Sequence, residues 1–220
     1  MKEFPASSAL PFRLIRAGVT AAFGVILCAG FLTSCGRRTP RCILPEGVEL
    51  REGDIVFRRG NGFTSRAVLA ADRHGMYSHV GMVVDSCGVK MIVHAVPGEP
   101  DHEGDPDRVK MDTPESFFSS VNADIGEVKR LRGDTLTPRR AALAALQTYR
   151  RGTLFDHDYD DSDTVKMYCC ELVMHAFARA GTPLVGPARH EFRLPGLGLI
   201  RCVLPSDICN SPRLVTVKTF

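Results

Sequence analysis

MYCCELVMHAF, residues 167–177, places two neighbouring cysteines directly before an apolar run that has the spacing of an amphipathic helix. At about 100° per residue, the apolar side chains of this run form one stripe along the helix. Cys169 is predicted near the centre of that stripe and Cys170 at its edge, while Glu171 and His175 point away. The stretch therefore predicts a helix that begins at the two thiols and packs on a sheet.

A cysteine in the first turn of a helix lies beside unpaired backbone N–H groups and the positive end of the helix dipole. Both features favour the thiolate and lower the cysteine pKa from its usual value of about 8.5. The alternative is a small core residue, because burial in apolar surroundings raises the same pKa. Cys169 is a candidate nucleophile under the first interpretation and a packing residue under the second.

The composition is that of an ordinary globular protein, with 44% hydrophobic and 24% charged residues in a chain of 220. The formal net charge of +3 falls close to zero once Lys2, Arg13 and Arg16 leave with an N-terminal segment. Such a chain lacks the basic face that nucleic-acid binding requires, so we expect no nucleic-acid partner. The sequence has no C-x-x-C pair and no H-E-x-x-H motif, and we expect neither a metal nor a cofactor.

Residues 1–34 are predicted to be a targeting segment, because Arg13 and Arg16 precede an uncharged apolar stretch. The sequence LTSC, which ends at Cys35, resembles the bacterial lipoprotein signal. This resemblance implies cleavage before Cys35, lipidation of its sulfur and a membrane partner through that lipid. An uncleaved anchor helix is the alternative, since the stretch approaches the ~20 residues that a bilayer requires. Both interpretations place the rest of the chain in the bacterial cell envelope, at the outer membrane or the periplasmic face in a Gram-negative cell.

Envelope compartments oxidise thiols, so disulfides are possible in the mature chain. The sequence does not select a pairing among Cys42, Cys87, Cys170, Cys202 and Cys209. Cys202 and Cys209 are the first pair to consider because they are close in sequence. A domain of this length builds its own core, so disulfides are not required for folding.

Strand and helix patterns alternate along the mature chain and predict an α+β domain. Residues 35–50 are predicted to be a lipidated tether, and residues 51–220 the folded domain. Within the domain, HVGMVVD and KMIVHAV are apolar runs separated by SCGV, which predicts a β-hairpin. We therefore expect an antiparallel sheet packed against helices.

Two histidines fall on the predicted hairpin. His79 opens its first strand and His94 lies within its second, so the two can be neighbours on one face of the sheet. An imidazole beside a thiol, oriented by a further polar group, is the arrangement that a cysteine nucleophile needs. A histidine that only satisfies a strand hydrogen bond is the alternative for either residue.

Four segments, in chain order, carry a family resemblance: GDIVFRRGNG, YSHVGMVV, YCCELV and VLPSDI. They resemble the permuted papain-like amidases of the YiiX/YaeF type, which are related to the NlpC-type cell-wall peptidases and to lecithin:retinol acyltransferase. The resemblance covers most of residues 51–220. It implies a circularly permuted papain-like, NlpC-like fold in which the histidine strand precedes the cysteine helix.

The same resemblance implies roles for individual residues. Cys169 would be the nucleophile and His79 the general base, with His94 as the third polar residue. In the implied mechanism the acyl group of the substrate passes through a thioester on Cys169. The backbone N–H of Cys169 would be one oxyanion donor, and Tyr168 or Tyr159 the second.

Three functions remain open at the level of sequence. The first is a lipoprotein cysteine hydrolase that acts on peptide amides of the cell wall. The second is an acyltransferase or lipid hydrolase of the same fold, which acts on N-acyl or ester lipids. The third is a non-catalytic envelope binding lipoprotein whose cysteines form disulfides. Specificity is expected in loops 97–125 and 152–166, which flank the thiol.

Overall fold

A computed structural model describes residues 40–160, 162–194 and 198–220. The predicted signal segment, residues 1–34, and the predicted lipidation site, Cys35, lie outside the described residues. Among the helices that the structure describes, none is both long and apolar enough to cross a bilayer.

The described chain is a mixed α+β structure with a large sheet. The strands are β1 Ile55–Arg59, β2 His79–Ser86, β3 Val89–Val96, β4 Arg108–Asp112, β5 Ile125–Leu131, β6 Leu154–Phe155, β7 Lys166–Met167, β8 His190–Leu194, β9 Gly198–Cys202 and β10 Leu214–Thr219. The helices are α1 Phe63–Ala71, α2 Pro114–Phe117, α3 Leu136–Arg150, α4 Cys169–Arg179 and α5 Pro205–Cys209.

The large sheet has the strand order β10-β5-β1-β2-β3-β4-β6-β7. Neighbouring strands in it are antiparallel except β6 and β7, which pair in parallel. β8 and β9 form a separate antiparallel pair. The predicted antiparallel sheet with helices is therefore present.

The hairpin of β2 and β3 is also present, and its turn has a clear local cause. Cys87 and Gly88 both have positive φ, at 54° and 84°. Two such residues form the tight turn whose twist matches a β-hairpin. The register pairs Met82 with Val93, which brings His94 opposite Gly81 and places His79 on the same face.

The two faces of the large sheet are covered differently. Helices α3 and α4 pack on one face, where Leu172, Val173 and Phe177 of α4 are fully buried in the main core. The short helix α2 covers the other face through Phe117. The histidines of the hairpin lie on this second face, because they alternate with Met82 and Val93, which belong to the main core.

Residues 41–50, which the sequence analysis assigns to the tether, pack on the second face in the structure. Ile43 and Leu44 contact its apolar cluster, and the N–H of Ile43 donates to the carbonyl of Phe118 at 2.8 Å. The carbonyl of Arg41 accepts from the N–H of Ser120 at 2.7 Å. The folded unit therefore begins before residue 51, because the apolar residues of this stretch complete a core that the sheet alone leaves exposed.

Candidate active site

Cys169 is the first residue of α4, and Tyr168 is the residue that precedes the helix. The N–H of Tyr168 donates to the carboxylate of Glu171 at 3.4 Å, which fixes how the chain enters the helix. The first N–H groups of a helix have no partner within it. The Cys169 sulfur thus lies at the end of α4 that favours negative charge.

The thiols are not arranged on α4 as the helical wheel predicts. Cys170 is 1% exposed and packs in the main core, whereas Cys169 is only partly buried. Glu171, expected to point away, is also buried. The prediction failed because Glu171 turns inward to bond the backbone before the helix, and the wheel does not take this contact into account. As a result, Cys169 is the more exposed of the two thiols.

The two histidines lie in a row with an aspartate. Nε2 of His79 is 2.9 Å from Nδ1 of His94, and Nε2 of His94 is 3.0 Å from Oδ2 of Asp112. These residues come from β2, β3 and β4, so the row crosses three adjacent strands. His94 is fully buried and the other two are nearly so.

Gly81 makes room for the contact between the imidazoles. A Cβ atom at this position would lie 2.8 Å from Cγ2 of Ile92 and 3.1 Å from Cβ of His94. Such distances are too short for a normal packing contact. With glycine there, the ring of His79 reaches diagonally across the strand to His94.

Asp112 was missed by the sequence analysis. It ends β4, in the stretch RVKMD, where Arg108, Lys110 and Asp112 alternate with apolar residues. That alternation is the signal of a strand with one polar face, and it could have placed Asp112 beside His94. The sequence before Arg108 resembles a loop, and for this reason β4 was not predicted.

The charge of Asp112 fixes the protons along the row. Although burial raises it, the hydrogen bond from His94 lowers the pKa of Asp112 to about 2, and Lys110 adds to this effect. The ionised carboxylate accepts from Nε2–H of His94, so Nδ1 of His94 accepts from Nε2–H of His79. Nδ1 of His79 is then unprotonated and can accept the proton of Cys169.

The pKa values of Cys169 and His79 follow from their surroundings. The hydrogen bond from the Cys170 thiol, with the sulfurs 4.0 Å apart, holds the pKa of Cys169 well below its usual value. The hydrogen bond with His79 lowers it further, while burial opposes both. Burial lowers the pKa of His79 to about 4, against the hydrogen bond with Cys169. His79 is therefore an uncharged base at neutral pH, next to a thiol that ionises readily.

A buried arginine lies beside the histidine row, on the strand that pairs with β2 on the side away from β3. Arg58 of β1 pairs directly with His79 of β2 and is 2% exposed. Its Nη1 donates to the carbonyl of Phe117 at 2.8 Å, and its Nη2 forms an ion pair with Glu99. After burial, the charge of Arg58 is a further reason for the lowered pKa values of His79 and His94.

The ring of Phe117 packs against both imidazoles of the row. Its ring lies 5.7 Å from that of His79 and 5.1 Å from that of His94, and Arg58 lies 4.7 Å from its centroid. An aromatic ring over the imidazoles excludes water from their hydrogen bonds. The low dielectric strengthens those bonds and keeps the imidazoles neutral.

The two tyrosines that were candidate oxyanion donors differ in what they bond. The Tyr168 hydroxyl accepts from the N–H of Val203 at 3.1 Å, so it holds the chain after β9. Tyr159 lines the same cavity as Cys169, and burial raises its pKa to about 12. Its hydroxyl is therefore protonated at neutral pH. Both tyrosines line the cavity of Cys169, so both remain candidate donors.

The described cysteines form no disulfide with one another. The Cys202–Cys209 pair considered from the sequence is not formed, and the thiol of Cys209 donates to Glu127 at 3.4 Å. Cys42 and Cys87 are exposed. The fold of the described residues is thus held by packing and hydrogen bonds.

The fold and site together describe a mixed α+β protein with a partly exposed cysteine at a helix start and a polar row of strand residues behind it. Its fold is similar to that of a solved structure, the crystal structure of the metalloprotein YiiX from Escherichia coli O157:H7. The sequences are 20% identical, the TM-score is 0.62, and the match covers 77% of this chain and 97% of the other. No family model and no curated protein match the sequence. The YiiX resemblance predicted from the sequence is confirmed at the level of the fold.

That neighbour is described as a metalloprotein, which raises the question of a metal in this chain. Among the described residues, no group of three His, Cys, Asp or Glu side chains is placed to hold a metal ion. Near Cys169, the Nε2 atoms of both histidines are already engaged, by His94 and by Asp112. The described residues therefore do not fit a metal centre.

Proposed function

We propose that the protein is a cysteine hydrolase of the amidase or peptidase type that works through a thioester on Cys169. The observation that carries the proposal is the connected row of Cys169, His79, His94 and Asp112. In that order, the four residues suit the roles of nucleophile, base, orienting imidazole and charge-stabilising carboxylate.

The order of the site along the chain supports a permuted papain-like arrangement. The histidine strand β2 comes before the cysteine helix α4, which is the reverse of the order in papain. The hydrogen bond between β2 and the cysteine helix supports the same arrangement, since the pKa of Cys169 is lowered in part by the backbone of Val80.

The first half of the reaction forms the thioester. Nδ1 of His79 takes the proton of Cys169, and the sulfur attacks the carbonyl carbon of the substrate. The N–H of Cys169 and the hydroxyl of Tyr159 or Tyr168 would donate to the oxyanion. Losing one such donor typically costs about 3 kcal/mol of transition-state stabilisation.

The second half releases both products. The imidazolium of His79 gives its proton to the leaving amine or alkoxide as the carbonyl carbon becomes a thioester. His94 accepts from Nε2–H of His79 throughout, and Asp112 stabilises the positive charge through His94. Water then attacks the thioester with His79 as base, which frees the acid and restores the thiol.

A non-catalytic, disulfide-bonded lipoprotein is the weaker reading, because the described cysteines form no disulfide. The lowered pKa of Cys169 also has no use in such a protein. The test is alkylation by iodoacetamide with peptide mapping, in a background where the exposed Cys42 and Cys87 are serine. We expect labelling at Cys169 that is fast at neutral pH, that Cys169→Ala removes, and that Cys170→Ala retains at high pH. Labelling of Cys169 no faster than a free cysteine would overturn the proposal.

The proposal includes a place in the cell. We infer from the signal-like segment and Cys35 that the enzyme is a lipoprotein of the bacterial envelope. Labelling of cells with an alkyne fatty acid should mark the wild type and leave Cys35→Ala unmarked. Equal labelling of the two would overturn the lipoprotein assignment and would leave the catalytic proposal intact.

A further inference from the structure

Two cavities meet at the candidate active site, and they differ in polarity. The first is lined by Cys169 and holds about 60 Å³ between α1, β9 and the start of α4. The second is lined by His79 and holds about 310 Å³. Ser78 and Thr64 line both, so the two cavities adjoin at that point.

The walls of the first cavity are almost entirely apolar. Besides the two tyrosines, the cysteines, and Thr64 and Ser78 at the junction with the second cavity, they are formed by Ala67, Val68, Ala71, Phe192, Ile200, Val203, Leu204 and Pro205. Most of these side chains belong to α1 and to the segment of β9 and the residues after it. Of the hydroxyl groups in its lining, that of Tyr168 accepts from the N–H of Val203.

The second cavity is much more polar than the first, and two of its charged groups have unused capacity. Arg58 is 2% exposed, and its Nε atom has no hydrogen-bond partner among the described residues. The same holds for Oε2 of Glu99. Asn61, Asn122 and Ser65 also line this cavity, together with the apolar side chains of Phe63, Val96, Pro97 and Val121.

The chemistry of the thioester assigns each cavity to one half of the substrate. The acyl carbon must bind the Cys169 sulfur, so the acyl substituent extends into the cavity that Cys169 lines. His79 must protonate the leaving group, so that group lies in the cavity that His79 lines. Resting on the proposed function, we infer that the substrate joins a slender apolar acyl group to a polar amine or alcohol.

This inference separates two substrate classes that the sequence left open. A peptidase substrate carries an amide close to the scissile carbonyl on its acyl side, and that amide needs hydrogen-bond partners. Apart from the hydroxyls of Thr64 and Ser78, which lie where the two cavities adjoin, the side chains that α1 contributes to the apolar cavity are Ala67, Val68 and Ala71, and these offer no partner. A buried amide without partners binds poorly. A hydrocarbon chain meets no such penalty there. Specificity then depends on α1 and β9 as well as on the loops predicted from the sequence.

The experiment compares two p-nitrophenyl esters of equal chain length, the pentanoate and the N-acetylglycinate. Each enzymatic rate is divided by the rate of the same ester with 2-mercaptoethanol, which corrects for the intrinsic reactivity of the ester. We expect the wild type to prefer the pentanoate at least about tenfold, because each methylene removed from water favours binding by a factor of about four.

Neighbouring positions of α1 provide a matched pair of variants. Ala67 lines the cavity, whereas Ala70 is exposed and does not. Ala67→Leu should abolish most of the preference for the pentanoate, and Ala70→Leu should keep it. Ala67→Ser hardly changes the volume of the side chain. It should reduce the preference for the pentanoate without blocking the smaller p-nitrophenyl acetate. Equal melting temperatures would show that all three variants fold.

Each outcome has one meaning. Turnover that depends on Cys169, with equal or reversed preference between the two esters, overturns the apolar acyl site and leaves the hydrolase intact. A pentanoate preference that survives Ala67→Leu but not Ala70→Leu also overturns it. If Cys169→Ala hydrolyses both esters as fast as the wild type, the proposed function itself fails.

Discussion

His94 contacts His79 through Nδ1 at 2.9 Å and leaves its other ring nitrogen to Asp112 at 3.0 Å. The carboxylate therefore determines which nitrogen of His79 carries a proton, although it lies two residues away in the row. A change that disturbs these hydrogen bonds alters the protonation of the His79 nitrogen that faces Cys169.

The first prediction concerns Asp112. Asp112→Asn removes the charge and allows the wrong tautomer of His94, so kcat should fall about 10²- to 10⁴-fold with little change in KM. Steady-state kinetics on an activated ester measures this loss. Asp85→Asn is the control, because Asp85 lies on β2 outside the histidine row, in a partly exposed pair with Lys90. Equal activity of the two variants would contradict the proposed role.

The second prediction concerns the neighbouring thiol. Cys170→Ala removes the hydrogen bond that is the largest cause of the lowered pKa of Cys169. The pH midpoint of Cys169 alkylation should therefore rise, while the rate at high pH stays near that of the wild type. Cys170→Ser keeps a donor and should shift the midpoint less. A midpoint that is unchanged in Cys170→Ala would show that His79 alone sets the ionisation.

The third prediction concerns stability in acid. His79 and His94 have pKa values of about 4 in the folded protein, below the ordinary value of 6.5, because they are buried. The unfolded chain binds protons first as the pH falls, so stability is complete above about pH 6.5 and is lost between there and about pH 4. The loss should be on the order of 2 kcal/mol per histidine by pH 4.5.

Urea unfolding at pH 7 and pH 4.5 measures this effect. The variant His94→Gln, whose side chain does not titrate, should lose less stability over the same interval than the wild type. Asp112 acts in a different range, since its folded pKa of about 2 lies below the usual 3.8 and its contribution is lost only below about pH 4. An equal loss in the variant and the wild type would contradict the assignment to the histidine row.

The fourth prediction compares two adjacent arginines of β1. Arg58→Met leaves Glu99 without its partner next to the buried row, and should cost about 3–5 kcal/mol in the free energy of unfolding. Arg59→Met breaks a pair with Asp124 in which both side chains are over a third exposed, and should cost at most about 1 kcal/mol. The double variant Arg58→Met with Glu99→Gln should recover part of the loss. Equal effects of the two single variants would refute the buried role.

The fifth prediction concerns Gly81. Gly81→Ala places a Cβ against Ile92 and His94, so the histidine row must shift. We expect a loss of about 1–3 kcal/mol in stability and a clear fall in kcat. Gly186→Ala is the control, because nothing lies within 4 Å of the Cβ it would add. A fully active Gly81→Ala would show that His79 needs no such space.

Several parts of the site could be predicted from the sequence because their signals are local. The β-branched runs around SCGV specify the hairpin, and the strand alternation puts His79 and His94 on one face. The start of α4 at Cys169 follows from its apolar periodicity. Each of these depends on residues close together in the chain.

The parts that were missed depend on contacts between distant segments. In the sequence, nothing distinguishes Asp112 from the other carboxylates. Only the pairing of β4 with β3 places it beside His94. Cys170 is buried in the main core, Glu171 turns inward to the backbone of Tyr168, and Ile43 packs on the second face. The sequence does not indicate that Arg58 is buried, and its burial is explained by the ion pair with Glu99 and the ring of Phe117.

The cover that Phe117 provides over the imidazoles has a consequence for spectroscopy. A ring N–H that is shielded from solvent and held by a hydrogen bond exchanges slowly enough to give a separate proton resonance. His94 is fully buried, so its Nε2 proton should appear far downfield in the resting enzyme. The site can therefore be observed by NMR before any substrate is known.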